Sequence, residues 1–342
     1  MIVNNPLVNK DITTNSLRQL FVLWLLISLP VAPVLAKKIE DRRWIEVSTE
    51  NFVVRTDHSE KKARELIFYM EAFRAAVPII TNIPQQESRV PMTIYAFDDH
   101  GDFARLGMQS GIAGFFRSTL RKNVIALRDT GLQENQVILH EYIHFLMRNY
   151  AGYRFPPWYS EGFAEYLSSA KIKGGQLRIG LANDRALRTL TYLPWLSFRK
   201  VLTTAYSDFA KLDREKRSAF YAQSWALVHY LHRNQDDVNP IAEALPKYFK
   251  LVENGTAEET AFEESFGIDF KTLSKNVKRY LRKGRFTYVG LRLKKDAKTF
   301  GAGVSEIPRH EIALQMGHFA LDSSAYEKAK RLFLVARQAE TL

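Results

Sequence analysis

Along this 342-residue chain the apolar residues recur first at spacings of two and later at spacings of three and four. Near the start, Trp44-Ile45-Glu46-Val47 and Phe52-Val53-Val54-Arg55 read as short strands joined by a polar turn. Ser59 to Val77 has a helical period, Val90 to Phe97 is a further strand pattern, and Asp98 to Leu106 reads as a short capped helix. Gly107 to Gly114 is glycine-rich, after which Phe115–Arg117 and Asn123–Leu127 can pair as strands. Leu132 to Arg148 predicts one amphipathic helix, with Val137, Ile138, His140, Ile143, His144 and Met147 at helical spacing; Asn149, Gly152 and Pro156-Pro157 end it. A second helix starts at once over Trp158 to Leu167. From Tyr192 through Leu281 the pattern is nearly all helical, with Gly267 as a helix stop and Asp269 opening the next helix.

This order predicts an α+β fold, in which a mixed sheet with one long helix leads into a helix pair and then into a helical part. Residues 286–308, with Gly301, Gly303 and Pro308 and few periodic apolar positions, read as a linker. Gly317, Ala320, Ala329, Phe333 and Ala336 then match the small and aromatic positions of one tetratricopeptide repeat. One repeat cannot bury its own apolar face, so this helix pair either docks on the rest of the chain or belongs to an array that continues beyond it. The expected organisation is a signal peptide over 1–36, an α/β part over 37–190, a helical subdomain over 191–285, the linker, and a helical hairpin over 309–342. The signal reading rests on Arg18, the apolar run Leu20–Leu29, the prolines Pro30 and Pro33, and the small residues ending at Ala36. The run falls short of the about 20 apolar residues that a transmembrane helix needs.

Chemistry concentrates in His140-Glu141-Tyr142-Ile143-His144. Two histidines four residues apart on a helix project from one face and can share a Zn²⁺ ion, and the adjacent glutamate can act as general base on a water. A buried, hydrogen-bonded histidine pair is the bland alternative. A catalytic zinc takes three protein ligands and keeps one position open. Glu161 is the candidate third ligand, because the short loop before the second helix folds it back against the first. Glu165, one turn later, is placed to orient a ligand histidine through its remaining N–H. With no cysteine in the chain, thiolate metal sites, disulfides and thiol nucleophiles are excluded.

His140-Glu141-x-x-His144, Asn149 and Trp158-x-x-Glu161-Gly162-Phe163-Ala164 together resemble the gluzincin metallopeptidases, among them the aminopeptidase N group and the bacterial peptidase MA-like proteins. The resemblance implies a zincin (thermolysin-like) catalytic domain holding one zinc per chain on His140, His144 and Glu161, with Glu141 activating water. It also implies that a sheet edge lines the cleft and pairs with the substrate backbone; Asn123–Leu127 or the Gly111–Phe116 turn is the candidate edge. Phe220-Tyr221-Ala222-Gln223-Ser224 resembles the start of the helix carrying the catalytic tyrosine in that group, which makes Tyr221 the candidate oxyanion donor. His229 and His232 are competing proton donors on the same helix. The G-x-M-E-N segment by which aminopeptidases hold a free amino terminus does not occur.

The full chain carries a net charge of +12, to which residues 1–36 contribute only Lys10, Asp11 and Arg18. Basic residues gather from Lys271 to Arg285 and again at Lys294 and Lys295, either as a solvated helix face or as a contact with an anionic envelope surface. No nucleic-acid motif accompanies them, and no nucleic-acid partner is expected. The expectation is a secreted, periplasmic zinc metallopeptidase acting on peptide or protein substrates, anchored at the inner membrane if the signal is retained, with the helical tail offering a surface to a protein partner. Its rivals are a zincin-shaped binding protein of little activity working through that tail, and a zinc amidase acting on a non-peptide envelope bond.

Overall fold

The computed structural model describes residues 37–81, 91–108, 113–118, 123–128, 136–149, 155–233, 238–293 and 303–338. Its elements in chain order are β1 (Ile45–Ser48), β2 (Phe52–Thr56), α1 (Glu60–Thr81), β3 (Met92–Phe97), α2 (Asp102–Arg105), β4 (Gly114–Ser118), β5 (Asn123–Arg128), α3 (Gln136–Asn149) and α4 (Pro157–Ser168). There follow β6 (Lys171–Lys173), β7 (Gln176–Ile179), α5 (Asp184–Tyr192), α6 (Phe198–Leu202), α7 (Tyr206–Phe209), α8 (Arg214–Arg233), α9 (Ile241–Glu253), α10 (Glu258–Phe266) and α11 (Phe270–Lys283). The last are β8 (Val289–Arg292), β9 (Val304–Glu306), α12 (Arg309–Asp322) and α13 (Tyr326–Gln338). The fold is α+β, as the apolar periods predict. The expected signal peptide over 1–36 lies outside the described residues, and no helix among those described is long and apolar enough to cross a membrane.

Six strands form a mixed sheet in the order β4-β5-β3-β2-β1-β9. The pairs β2–β3 and β3–β5 are parallel, and β4–β5, β1–β2 and β1–β9 are antiparallel. Alternation on the inner strands sends Ile94, Ala96, Ile125 and Leu127 to one face, where α1 and α3 cover them with Leu66, Phe73, Ile138 and Tyr142. Tyr95, Phe97, Val124 and Ala126 face the other way and meet Met316, Phe319 and Leu332 of α12 and α13. Both faces are covered, which is why β5 is buried at five successive positions instead of alternating with polar residues.

Three expectations change here. β4 is one of the two edge strands, the other being β9, while Asn123–Leu127 is the interior strand β5, so of the two candidate edges the segment ending at Phe116 is the one at the margin; its residues 111 and 112 lie outside the description. The interval 286–308 is not a plain linker: β8 pairs with β7, and β9 extends the main sheet beside β1. Both strands are three or four residues long and half exposed, too short to leave a period in the sequence. The boundary at 190 crosses a continuous apolar core running from Phe52 through Trp158 to Val277. The terminal helix pair docks on the sheet, as one of its two sequence alternatives required. The basic run of α11 is the outer face of a helix whose Phe270, Leu273 and Val277 are buried.

Candidate metal centre

α3 is anchored by its apolar stripe. Tyr142 packs edge-on against Phe52 of β2 and Phe73 of α1, with ring centroids 5.3 and 6.3 Å away. Its opposite stripe, with His140, Glu141 and His144, is half-buried, and His140 and Glu141 border a cleft. α4 begins with Pro157, whose missing N–H costs nothing at a first-turn position, and is buried along nearly all its length between α3 and α8. A Cβ on Gly162 would overlap the Ser224 carbonyl of α8, so only glycine lets the two backbones approach this closely. That approach sets the depth of Glu161, the preceding residue, which is 8% exposed.

Three side chains converge where the two helices meet. His144 Nε2 lies 3.1 Å from His140 Nε2 and 3.2 Å from Glu161 Oε2, and His140 Nε2 lies 3.3 Å from the same oxygen. Ligand atoms held at about 2.0–2.2 Å from one ion at tetrahedral angles stand about 3.3 Å apart, so this triangle fits a single metal ion. Among the described residues, His140, His144 and Glu161 are the group able to hold one. Burial opposes charge on His140, but the carboxylates of Glu161, Glu165 and Glu141 outweigh it and raise the imidazole pKa. Burial also works against ionised Glu161, yet hydrogen bonding with His140 and His144 prevails and takes its carboxyl down to about 2. Glu161 is therefore a carboxylate at any ordinary pH, the form a metal ligand needs.

Around the triangle the structure brings together most of the predicted residues. A cleft of about 300 Å³ is lined by His140 and Glu141 of α3, Glu165 of α4 and Tyr221 of α8, with Gly114 of the edge strand at its rim. The Tyr221 ring stands 6.2 Å from that of His140, and burial, reinforced by Glu161, Glu165 and Glu141, pushes its pKa up, so it stays a protonated donor. Glu165 Oε1 faces His140 Nδ1 at 3.6 Å, within ion-pair range but beyond a hydrogen bond. Neither competing histidine lines the cleft. His229 donates from Nε2 to the Gly180 carbonyl at 3.0 Å and accepts at Nδ1 from the Tyr280 hydroxyl at 2.8 Å, while His232 stacks on Tyr166. Both nitrogens of His229 are thus committed to packing.

Sequence reasoning missed two supports. Ser160 Oγ lies 3.2 Å from His144 Nδ1, so an Nδ1–H would donate to it and leave Nε2 free for a metal. Asn183 caps α5 by accepting from the Ala186 N–H at 3.0 Å, and its amide donates to Glu165 Oε2 at 2.7 Å. The Asn183-Asp184 pair before an amphipathic run signals a helix cap, but no spacing in the sequence signals its reach to Glu165.

The site is that of an α+β protein with a two-histidine, one-carboxylate centre able to hold a metal ion. Residues 134–249 match a family model described as "Protein of unknown function (DUF1570)", an interval that contains α3, α4 and α8 and with them every residue of the centre. No curated protein matches the chain.

Proposed function

We propose that the chain is a zinc-dependent metallopeptidase of the gluzincin type. The observation that carries this reading is the convergence of His140, His144 and Glu161 within 3.1–3.3 Å of one another, with His140 on the wall of a cleft that Glu141 and Tyr221 also line. Two imidazoles and one carboxylate suit Zn²⁺, whereas Ca²⁺ and Mg²⁺ sites are built from oxygen ligands. Zinc held there would supply a Lewis acid that polarises a carbonyl and makes a water more acidic. Glu141 takes the proton from the attacking water and passes it to the leaving amine. Tyr221 donates its phenolic hydrogen bond to the carbonyl oxygen as negative charge develops there. Ser160 and Glu165 keep the ligand imidazoles turned with Nε2 inward. β4, which among the described strands pairs with β5 alone, is suited to pairing with an extended peptide, which brings a backbone amide past Glu141.

The test is to load the purified chain with zinc, count the metal, and expose it to a mixed peptide library read by mass spectrometry. One zinc per chain and peptide cleavage are expected. Glu141→Gln should keep the zinc and lose the cleavage, because glutamine cannot accept the proton. Equal cleavage by this variant removes Glu141 from the base role, and no cleavage by the parent rejects the peptidase reading and favours a non-peptide amide.

The amino-terminal pattern of Arg18, the apolar run and the small residues ending at Ala36 supports export to the bacterial periplasm with cleavage after Ala36; amino-terminal sequencing of the exported protein checks this. A second reading, a binding role for the tail, is favoured by a groove across α12 and α13 where Leu321, Tyr326 and Leu334 are exposed. Loss of function in Glu141→Gln with the groove intact decides against it.

A further inference from the structure

The cleft has one charged wall that the chemistry above does not use. α5 turns Arg185, Ala186 and Thr189 toward the cleft, while Leu187 and Leu190 on its other side pack against the core. Arg185 is the one cation among the described residues that line the cleft. It shares that space with Glu141 and Glu165, yet it forms no ion pair or hydrogen bond with either, nor with any other described residue. The side chain is exposed and, among the described residues, unpaired, so its guanidinium is available to a ligand that enters the cleft. The helix that carries it is anchored at its start. Asn183, two residues earlier, caps α5 and grips Glu165, which faces His140. Arg185 therefore stands in register with the metal ligands and is not carried on a free loop.

We propose that Arg185 is a specificity residue that binds a carboxylate of the substrate beside the bond to be cleaved, either an acidic side chain or a free carboxyl terminus. The inference rests on the peptidase reading. The chemistry follows from the guanidinium, whose planar fork matches a carboxylate through two parallel N–H···O bonds. In a cleft otherwise lined by Glu141 and Glu165, an acidic substrate without that cation would meet repulsion. With it, the anionic group is directed to the α5 wall, away from the base.

The experiment measures binding and needs no turnover. Zinc-loaded full-length protein is titrated calorimetrically with short peptide hydroxamates that differ only in glutamate against glutamine, and with a second pair that differ only in a free against an amidated carboxyl terminus. At least one acidic member should bind about ten-fold or more tighter than its neutral partner, the scale of a charge-assisted hydrogen bond. The preference should vanish in Arg185→Gln and partly survive in Arg185→Lys, with zinc content unchanged in both. A preference in the first pair assigns a side chain, and one in the second assigns the terminus. Equal binding within both pairs, no binding of any of the four, or a preference that persists in Arg185→Gln overturns the proposal. If the carboxylate preference holds but the zinc-loaded parent cleaves no more than Glu141→Gln, the peptidase reading fails while Arg185 keeps its role as a carboxylate-binding residue.

Discussion

Glu165 is pulled from two sides, by His140 Nδ1 at 3.6 Å and by the Asn183 amide at 2.7 Å. If its role is to orient His140, Glu165→Ala should weaken zinc binding by about 10–100-fold while the protein stays folded. Chelator competition against the parent measures this; unchanged affinity would reduce Glu165 to the anchor of α5. His229 makes a different, pH-dependent prediction. Burial, with Arg233 nearby and against the Gly180 hydrogen bond, takes its pKa from 6.5 down to about 4. Between those values the unfolded chain binds a proton that the folded chain refuses. The stability His229 leaves intact above pH 6.5 is therefore lost as the pH falls toward 4. By pH 5 the loss is about 2 kcal/mol. Urea unfolding at pH 7.5 and pH 5 should show that much less acid sensitivity in His229→Gln than in the parent, and parallel losses would refute it.

At the scale of elements, the α4–α8 contact controls the centre. Gly162→Ala places a methyl group against the Ser224 carbonyl, and neither helix can retreat, since Trp158, Phe163 and Trp225 are buried. The expected cost is about 1–3 kcal/mol, accompanied by weaker zinc binding because Glu161 moves with its neighbour. Thermal midpoint and metal affinity measured on one preparation check both; a stable variant with parental affinity would mean that the helices can separate freely. The β6–β7 hairpin carries a turn signal in the sequence. Lys171-Ile172-Lys173 and Gln176–Ile179 flank Gly174-Gly175, whose φ values of 59° and 71° are those a tight hairpin turn demands. Its strands hold three and four residues, too few for a period to stand out beside two long helices.

For the molecule as a whole, the terminal helices act as the second cover of the sheet. Phe319 of α12 meets Tyr95, Phe97 and Phe115 at ring separations of 5.3, 6.4 and 5.7 Å. Ion pairs from Arg331 to buried Glu40 and from Arg117 to Asp322 tie the pair to the start of the domain and to the cleft's edge strand. Phe319→Ala should cost about 3–5 kcal/mol and loosen β4. A fall in thermal midpoint with new binding of a hydrophobic dye is expected; retention of the parental midpoint would mean that the hairpin is a passive appendage.

The residues themselves determined the periods of α1, α3, α4 and α8, the candidate ligands His140, His144 and Glu161, and the α+β class, because helical spacing and side-chain chemistry are local properties that adjacent positions carry in full. Tertiary structure decided what no local pattern encodes. It made β4 and not β5 a sheet edge, drew β8 and β9 out of an apparent linker, placed α12 and α13 on the sheet, and brought Ser160, Asn183 and Arg185 to the centre. Each depends on contacts between segments distant in the chain or on side chains turned by a neighbouring helix. Such contacts are selected by complementary shape and buried area, and a single sequence carries no period that announces them.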